Sequence, residues 1–367
     1  MQFDAIRGRV EKLRALMREK GLDAFVLFVF ERLNSESCRY ISGFRGSSAA
    51  LLIDDVRETL VTDGRYQTQA AAQSPFSLIV QMTVPFSEFI VRLVSENGYK
   101  TVGFESEKLF HGVVENVLKK ARTEWKDASA LVPFLRRTKD AAEADAIRRA
   151  GLIARRAYEK TLREVKAGMT EAEFDSRLLC EIKREGGERG WTHDDFIVAS
   201  GERGAMCHGC ATAKPFARFD TVTVDYGVTV DGYMCDITRN FAVGEARERA
   251  LEIGRILIEA HRSAAAALRP GASGKEVDAV ARKIVADAGY EKNFIHGLGH
   301  GLGLEVHEAP RLSFLSKDIL KAGDVVTVEP GIYIEGWGGL RIEDDYLITE
   351  NGAECLTQSD DQNLRVV

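Results

Sequence analysis

Short apolar runs alternate with charged, amphipathic segments through the first third of the chain. The runs predict strands, and they are AFVLFVF (24–30), SAALLID (48–54), ETLVTD (58–63), SLIVQMTV (77–84) and TVGFE (101–105). Segments with helical spacing of apolar positions predict helices at 1–21, 87–97 and 107–122. Strands that alternate with helices indicate an α/β domain with a partly parallel sheet.

A change of character follows in DASALVPFLRRTKDAAEAD (127–145), where Pro133 interrupts the pattern and a long charged helix begins. We therefore place a domain boundary between Leu135 and Lys139, which gives domains 1–135 and 136–367. Two domains are also what a chain of 367 residues favours, because single cores rarely grow beyond about 250–300 residues.

The second domain contains a weak internal repeat. KAGMTEAEFD (166–175) and RPGASGKEVD (269–278) share a glycine, a predicted capping box (Thr170 with Glu173, Ser273 with Glu276) and a final aspartate, each after a long amphipathic segment. Two capped helices can look alike because the same physics starts every helix. We favour a duplication instead, which predicts two similar halves around a pseudo-twofold axis, with a site between them.

Composition narrows the classes of protein. With 45% hydrophobic and 29% charged residues the chain is an ordinary globular protein, and its net charge of −6 gives no overall attraction to nucleic acid. The first residues lack the apolar core of a secretory signal, and the longest apolar run is too short to cross a bilayer. Six scattered cysteines favour a reducing compartment, and we expect the cytoplasm.

One pair of cysteines has the CxxC spacing, Cys207 and Cys210. Half a zinc site or a redox pair would fit this spacing, but no second CxxC exists and the segment does not open a helix. We interpret the pair as small thiols in a loop.

The stretch HGLGHGLGLEVHE (296–308) contains three histidines and four glycines. Its glycines recur at every second residue, so neither the GxGxxG spacing of a dinucleotide loop nor the Gly-Lys-Ser/Thr ending of a P-loop is met. A phosphate-binding loop is therefore excluded. A metal site requires further ligands from elsewhere in the chain.

Two of these ligands are predicted on a hairpin, DTVTVDYGVTVDGYMCDITRN (220–240), which turns at Asp231-Gly232. With this turn, Asp236 pairs with Gly227, and Asp225 lies on the same face as diagonal neighbour. The separation of two such carboxylates suits a pair of cations. Solvated strand aspartates are the alternative, which the depletion of aspartate in strands weakens.

Two glutamates add to this negative charge. Glu329 ends the apolar strand GDVVTVEP, and in LRIEDDYLIT Arg341 and Glu343 share one face. Buried charges require partners, and a single arginine offsets only one of four carboxylates. Bound cations would offset the rest.

Together these segments resemble the creatinase/prolidase/aminopeptidase P group of metallopeptidases, whose pita-bread fold is shared with methionine aminopeptidase. Five motifs occur in the family's order: IVASGERGAMCHG, VDYGVTVDGYMCDITRNFAVG, HGLGHGLGLEVHE, VEPGIYI and RIEDDYLIT. RYISGFRGSSAALLI resembles the amino-terminal domain of the longer members. The resemblance implies a creatinase-like α/β amino-terminal domain followed by an α+β pita-bread catalytic domain with pseudo-twofold halves.

The resemblance also implies the ligands of a two-metal centre. They are Asp225, Asp236, His300, Glu329 and Glu343, with Asp236 and Glu343 bridging the ions. One imidazole among four carboxylates suits Mn²⁺ and can accept Co²⁺ or Zn²⁺.

Other residues are assigned roles around the metals. A hydroxide bridging the ions would attack the peptide carbonyl, with Glu329 as general base and His208 or His307 donating to the oxyanion. His296 would line the substrate site, and Arg341 and Tyr333 would support the ligands.

The activity that the resemblance implies is cleavage of an Xaa-Pro bond at the amino terminus of peptides, by an Xaa-Pro aminopeptidase. The alternative is an Xaa-Pro dipeptidase (prolidase), in which a group binds the carboxylate beyond proline. A creatinase-like hydrolase fits less well because its metal ligands are replaced, and methionine aminopeptidase because it lacks the α/β domain. A non-catalytic binding module fits least, since such relatives have lost ligands. The resemblance further implies a homodimer or larger homo-oligomer.

Three residues depart from the family pattern. Cys207 replaces a proline, Cys235 a small residue that is commonly serine, and Arg203 a frequent asparagine. They put substrate preference in question while the ligand set stays whole. Of the other histidines, His193 follows Trp191 and is a weak candidate for the pocket entrance, whereas His111 and His261 have ordinary helical contexts.

Overall fold

The computed structural model describes residues 2–166, 168–191, 196–357 and 362–367. These residues form two compact units, the first ending at Arg136 and the second starting at Arg137. Among the helices of the described ranges, none is both long enough and apolar enough to cross a membrane. His193 lies outside these ranges.

The first unit is built on one mixed sheet. Its elements are α1 (Gln2–Glu19), β1 (Ala24–Phe30), α2 (Ser35–Ser42), β2 (Ser48–Asp54), β3 (Glu58–Thr62), α3 (Gln67–Gln73), β4 (Ser77–Val80), α4 (Phe86–Glu96), β5 (Thr101–Phe104), α5 (His111–Asn116) and β6 (Glu124–Asp127), and α6 (Leu131–Arg137) follows at the boundary. The strand order is β4-β3-β2-β1-β5-β6. Strand β1 pairs antiparallel with β2 and parallel with β5, which confirms the predicted partly parallel sheet.

One predicted element of this unit is wrong. The single helix expected at 107–122 is only the six-residue α5, with short 3₁₀ turns at Ser106–Lys108 and Leu118–Lys120 on either side. Helix α5 starts without a side-chain cap and continues into Gly112 and two adjacent valines, a weak combination for helix formation.

The second unit alternates pairs of helices with groups of antiparallel strands. Its elements are α7 (Ala141–Leu162), α8 (Glu171–Arg184), β7 (Ile197–Ser200), β8 (Thr221–Val230), β9 (Tyr233–Ala242), α9 (Glu248–Ala266), α10 (Gly274–Asp287), β10 (Gly299–Gly301), β11 (Glu308–Leu312), β12 (Val325–Val328), β13 (Gly331–Ile334), β14 (Gly338–Arg341), β15 (Asp344–Thr349), β16 (Gly352–Cys355) and β17 (Arg365–Val366). The strand orders are β17-β9-β8-β7, β11-β10-β12-β15-β16 and β13-β14.

The two halves of this unit repeat the same hydrogen bonds at the motif that recurs in the sequence. Gly168, at φ +87°, donates its N–H to the carbonyl of Phe216, and Gly271, at φ +81°, donates to that of Leu320. Only glycine adopts such a left-handed conformation readily, so both motifs need it. The equivalent contacts support the predicted duplication.

The aspartate that ends each copy of the motif also has one function in both halves. Asp175 accepts the N–H of Phe196 at 3.1 Å, and Asp278 accepts the N–H of Leu298 at 3.0 Å. Each carboxylate thus ties the second helix of its half to the residue just before a strand, β7 in one half and β10 in the other.

The capping predictions are half right. Thr170 and Glu173 form the predicted reciprocal capping box, but the Ser273 side chain makes no cap hydrogen bond. At α10 the backbone N–H of Gly274 bonds the carbonyl of Asp318 at 2.9 Å instead, because the chain packs directly against the strand region of the same half.

Candidate metal centre

The β8–β9 hairpin presents the first two carboxylates. Asp231 and Gly232 form its turn with φ of 48° and 73°, and the register places Asp236 opposite Gly227, as predicted. Asp225 lies two residues along from Gly227, opposite Thr238, and therefore projects from the same face. The Asp225 and Asp236 side chains are both buried.

The other half of the unit contributes the remaining candidates. His300 lies on β10, Glu329 directly follows β12, and Glu343 directly precedes β15. The His300 Nε2 atom is 3.3 Å from Oε1 of Glu329 and 3.8 Å from Oδ2 of Asp236. Asp236, His300 and Glu343 each offer one ligand atom, and these atoms lie within 4.8 Å of one another.

Asp225 and Glu329 extend this group on two sides. The Arg341 guanidinium donates to Oδ2 of Asp225, and Glu329 contacts His300. The structure therefore brings all five sequence-predicted ligands into one largely buried cluster, and the ligand atoms of three of them lie close together.

The electrostatics of the cluster disfavour its charged form. Burial raises the pKa of Asp236 well above its ordinary value, and the carboxylates of Glu343 and Asp225 raise it further. Burial and the charge of Glu329 also raise the pKa of Glu343. Burial raises the pKa of Asp225 even though Arg341 opposes the shift. Each carboxylate penalises its neighbours because their charges share a low-dielectric site.

Glu329 behaves differently. Burial alone would raise its pKa, but the hydrogen bond and charge of His300 outweigh that effect and lower the pKa to about 2. The same contact raises the pKa of His300 against the effect of its burial. Glu329 is therefore ionised over the whole neutral range.

Unsatisfied oxygen atoms test whether cations fit here. Within the described ranges, Oδ1 of Asp225 and Oδ1 of Asp236 are buried and have no hydrogen-bond partner. Buried polar atoms are almost always satisfied, and leaving one without a partner costs about 1–3 kcal/mol. Acceptor-only atoms beside an imidazole nitrogen suit divalent cations, so the residues present fit a metal centre.

The orientation of His300 fits ligation as well. Its Nδ1 lies 3.1 Å from the carbonyl of Gly301, so the Nδ1–H can donate there and leave the Nε2 lone pair facing the carboxylates. Its backbone N–H donates to Oγ1 of Thr327 at 3.1 Å. The ring is thus fixed from the side opposite the cluster.

The glycines around His300 are explained by packing rather than by phosphate binding. A Cβ on Gly299 would lie 2.1 Å from the carbonyl oxygen of Thr327, and one on Gly301 would lie 2.3 Å from that of Ala309. Strand β10 is squeezed between β11 and β12, and only glycine permits so close an approach of backbones.

The other predicted imidazoles surround the cluster. Nε2 of His296 is 3.0 Å from the hydroxyl of Tyr333, and the ring of His307 meets that of His300 edge-on at 4.4 Å between centroids. Burial and the charge of His300 lower the pKa of His307 to about 4, so it is neutral at pH 7. His208 is exposed and close enough to His307 for its charge to lower the pKa of that ring.

Arg341 connects several of these groups. It donates to Asp225, to the Tyr333 hydroxyl at 2.7 Å and to Oγ1 of Thr238 at 3.0 Å. A further bond at 3.2 Å reaches the carbonyl of Cys207, in the loop that contains His208. Arg341 is therefore both the counter-charge of Asp225 and a support for the rim of the site.

Two of the three departures from the family pattern, Arg203 and Cys207, lie at this rim. Arg203 bonds the buried carboxylate of Glu171 and the carbonyl of Cys210, so it holds the His208 loop. Cys207 and Cys210 are free thiols in that loop, which agrees with their interpretation as loop cysteines. Cys235 is fully buried next to Asp236.

Sequence reasoning missed three residues around the site. Asp345 accepts the backbone N–H of Asp236 at 2.9 Å, and His261, fully buried in α9, lies 3.5 Å from the Asp344 carboxylate beside Glu343. The two adjacent aspartates in RIEDD could have drawn attention to Asp345. Nothing in the sequence pointed to His261, because a lone histidine in a helix is usually structural. His111, in α5, belongs to the first unit.

Arg311 is the third missed residue. It stands directly opposite His300 across the β10–β11 pair, so both side chains leave the same face of the sheet. Its charge lowers the pKa of His307. Within the described part of the chain its exposed guanidinium has no hydrogen bond or ion pair. From the sequence alone, Arg311 could have been linked to the site only if the pairing of β10 with β11 had been known.

Comparison with known proteins agrees with this geometry. Residues 145–350 match the model of metallopeptidase family M24, and residues 9–138 match that of the creatinase/prolidase N-terminal domain. The chain belongs to metallopeptidase family M24. This M24 metallopeptidase is a hydrolase, and the predicted fold, a creatinase-like α/β domain followed by a pita-bread catalytic domain, is confirmed.

Relatives of this M24 metallopeptidase match it over nearly the full length. The Xaa-Pro dipeptidase of Pyrococcus furiosus is 36% identical over 97% of this chain and 99% of its own. Among solved structures, an Xaa-Pro dipeptidase from Bacillus anthracis has a TM-score of 0.92 at 36% identity, covering 99% of this chain and 100% of that one. An X-Pro aminopeptidase from Thermotoga maritima also reaches 0.92 at 36%, covering 98% and 99%.

Proposed function

We propose that this M24 metallopeptidase is an Xaa-Pro dipeptidase, which cleaves dipeptides with a carboxy-terminal proline. Sequence analysis placed Xaa-Pro aminopeptidase first and the dipeptidase second. Relatives named Xaa-Pro dipeptidase at 36% and 35% identity over almost the whole chain favour the second. The order of the two hypotheses is therefore reversed.

The position of Arg311 is the main support for a dipeptidase. A dipeptidase must bind the carboxylate that follows proline, about one residue beyond the scissile bond. Arg311 has a planar guanidinium on the same sheet face as His300, with no partner among the residues that the structure describes, and a guanidinium binds a carboxylate through two parallel hydrogen bonds. An aminopeptidase would instead need open space there for the rest of the peptide.

The proposal includes two divalent cations held by Asp225, Asp236, His300, Glu329 and Glu343. The unsatisfied Oδ1 atoms of Asp225 and Asp236 and the raised pKa values of the buried carboxylates support it. When bound, the cations would supply Lewis-acid activation of water and of the peptide carbonyl. Manganese is the expected ion for so oxygen-rich a set, with cobalt or zinc as substitutes.

The chain's own residues then complete the reaction. Glu329, ionised at neutral pH, can take a proton from the attacking water on its carboxylate and deliver it to the proline nitrogen as that nitrogen leaves. His307 is neutral and can donate an imidazole N–H to the developing oxyanion. His296, held near the Tyr333 hydroxyl, lines the site, and exposed His208 stands at its rim.

Proline is a reasonable leaving group for such a site. An Xaa-Pro bond has no amide N–H, so it cannot be held by strand-like hydrogen bonding, as many peptidases hold their substrates. A site that binds the terminal carboxylate and the metals can select the bond without that hydrogen bond.

A comparison of Xaa-Pro, Xaa-Pro-amide and Xaa-Pro-Yaa substrates tests the proposal on the manganese-loaded enzyme. We expect kcat/KM for the free dipeptide to exceed the other two by at least about tenfold, the value of one charge-assisted contact. Equal or faster cleavage of the tripeptide would establish the aminopeptidase, which the equally similar Thermotoga structure keeps as the second candidate.

The proposal also covers the domain boundary, the cellular compartment and the oligomeric state. A domain boundary near residue 135 is supported by the end of the first compact unit at Arg136 and by the gap between the two family matches, 138 to 145. Free thiols at all six cysteines support a reducing, cytoplasmic setting. A homodimer or larger homo-oligomer is proposed from the family resemblance, and light scattering tests it.

A further inference from the structure

A buried carboxylate closes the turn that contains His307. Oε1 of Glu308 accepts the backbone N–H of Leu304 at 3.0 Å and that of Glu305 at 3.1 Å. The chain between 304 and 308 is therefore wrapped around a single side chain. Any change at this carboxylate releases two backbone donors at once.

The second oxygen of the same carboxylate binds a lysine that is distant in sequence. Oε2 of Glu308 accepts Nζ of Lys139 at 2.9 Å, and the ammonium also donates to the carbonyl of Arg137 at 3.1 Å. The side chains of Lys139 and Glu308 are 1% and 7% exposed, so the ion pair is shielded from water. Losing either member leaves the other as an uncompensated buried charge.

The glycine beside the pair shows how tightly it fits. A Cβ on Gly303 would lie 2.8 Å from Cε of Lys139 and 2.9 Å from a carboxylate oxygen of Glu308. The Gly303 carbonyl also accepts the N–H of Met234, in strand β9, at 2.8 Å. The turn is thus fixed both to the lysine and to the hairpin that carries Asp236.

His307 depends on this turn for its orientation. Its exposed ring packs edge-on against His300, and within the described ranges the ring makes no hydrogen bond of its own. The Glu308 carboxylate, one residue after the ring, holds the backbone N–H groups two and three residues before it. A side chain without its own hydrogen bonds is aimed by the backbone that bears it.

We propose that Lys139 and Glu308 are positioning residues that hold His307 beside His300 for interaction with substrate. The pair contacts the carbonyl of Arg137 and the backbone of the turn at 304–308, so its effect on His307 passes through that turn. The role of His307 toward substrate rests on the proposed function. The role of the pair in fixing the turn does not.

The first test is amide hydrogen exchange on the metal-free protein, which needs no activity. In K139M we expect the amides of Leu304 and Glu305 to exchange at least about tenfold faster than in the wild type, since the buried pair is broken. R14M is the control, because Arg14, whose side chain is 7% exposed, forms an ion pair with the partly exposed Glu58 in the first unit. Unchanged protection in K139M, or an equal rise in R14M, would overturn the proposal.

The second test is a double-mutant cycle on the manganese-loaded enzyme with an Xaa-Pro dipeptide. K139M and H307N are each expected to lower kcat/KM by about 10–100-fold, the usual effect of lost supporting contacts. In the H307N background K139M should cost less than about threefold more, because the group it positions is already gone. The same loss in both backgrounds would contradict positioning through His307.

Two further measurements keep the outcomes distinct. K139M/E308Q removes both charges together, so it should retain more activity than K139M alone, and a lower activity would count against the ion pair. It also serves if K139M does not fold. If the wild type cleaves no Xaa-Pro peptide at all, the proposed function fails, while the exchange experiment still decides the role of the pair.

Discussion

The hydroxyl of Thr238 donates to Oε2 of Glu343 at 2.6 Å, and the Thr238 Oγ1 atom itself accepts the Nε–H of Arg341 at 3.0 Å. Thr238 belongs to the first half of the catalytic unit and Glu343 to the second, and the two residues also form an isolated β-bridge. One buried hydroxyl therefore joins the halves at the metal centre. It orients Glu343, a proposed bridging ligand. It also orients Arg341, which in turn donates to Asp225.

T238V tests this connection. Valine keeps the shape but removes both hydrogen bonds, so Glu343 loses its donor and Arg341 one acceptor. We expect the affinity for Mn²⁺ to fall by about 10–100-fold, as calorimetric titration would measure. T229V is the matched control, because Thr229 is equally buried and its hydroxyl donates to the carbonyl of Gly190, away from Glu343 and Arg341. Equal loss of affinity in both variants would contradict the assignment.

R311M tests the origin of dipeptide specificity. The exposed arginine supports no other group that the structure describes, so the fold should be unaffected. We expect kcat/KM for Xaa-Pro to fall by about 10–100-fold, which corresponds to one charge-assisted contact, and that for Xaa-Pro-amide to change by less than about threefold. A parallel loss on both substrates, in steady-state assays, would show that Arg311 acts elsewhere than on the terminal carboxylate.

Metal binding should be linked to pH. The raised pKa values of Asp225, Asp236 and Glu343 mean that the metal-free site holds protons above the ordinary carboxylate pKa near 4, and ligation must release them. Affinity for Mn²⁺ is therefore expected to rise with pH. Titration calorimetry in buffers of different ionisation enthalpy measures the released protons. Binding without proton release would contradict the raised pKa values.

The same pKa shifts predict the stability of the metal-free protein. Carboxylates with raised folded-state pKa values favour the folded state at pH below the unfolded pKa, and this contribution is lost as pH rises through the raised values. The metal-free protein should thus lose stability above about pH 4, while bound metal removes the penalty. The gap in Tm between the two forms is expected to widen with pH, which differential scanning calorimetry would check.

D278A tests the duplicated aspartates as structural supports. Asp278 is 1% exposed, accepts the N–H of Leu298 and forms a two-point ion pair with Arg282. We expect a loss of about 3–5 kcal/mol in the free energy of unfolding, since a buried N–H and a cation lose their partner together. D278N keeps an acceptor for Leu298, so its loss in denaturant melts should be smaller. A neutral D278A would refute this support.

The strand pairing of the site could be predicted because it depends on local rules. Once Asp231-Gly232 is the turn, the two-residue period of a strand fixes Asp236 opposite Gly227 and Asp225 on the same face. The strands of the first unit, β2 from Ser48 to Asp54 among them, were equally local. The assignment of five residues as metal ligands, which is still a proposal, came from family resemblance, which supplied the pairing of distant segments.

What could not be predicted depends on contacts between distant segments. Lys139 and Glu308 are 169 residues apart, and nothing in either local sequence indicates the pair. Arg311 becomes informative only when β11 is known to lie beside β10. The cap at Ser273 was replaced by a backbone contact from Asp318, and the helix expected at 107–122 broke because its intrinsic propensity was weak.

Anomalous diffraction from a manganese-loaded crystal is the most direct test of whether the five side chains hold two metal ions. We expect two manganese peaks per chain, both within about 2.0–2.3 Å of oxygen or nitrogen atoms of the five proposed ligands, with Asp236 and Glu343 shared between the peaks. In a D236N crystal at least one peak should disappear. If no peak is found among these five side chains at saturating manganese, the metal assignment is wrong.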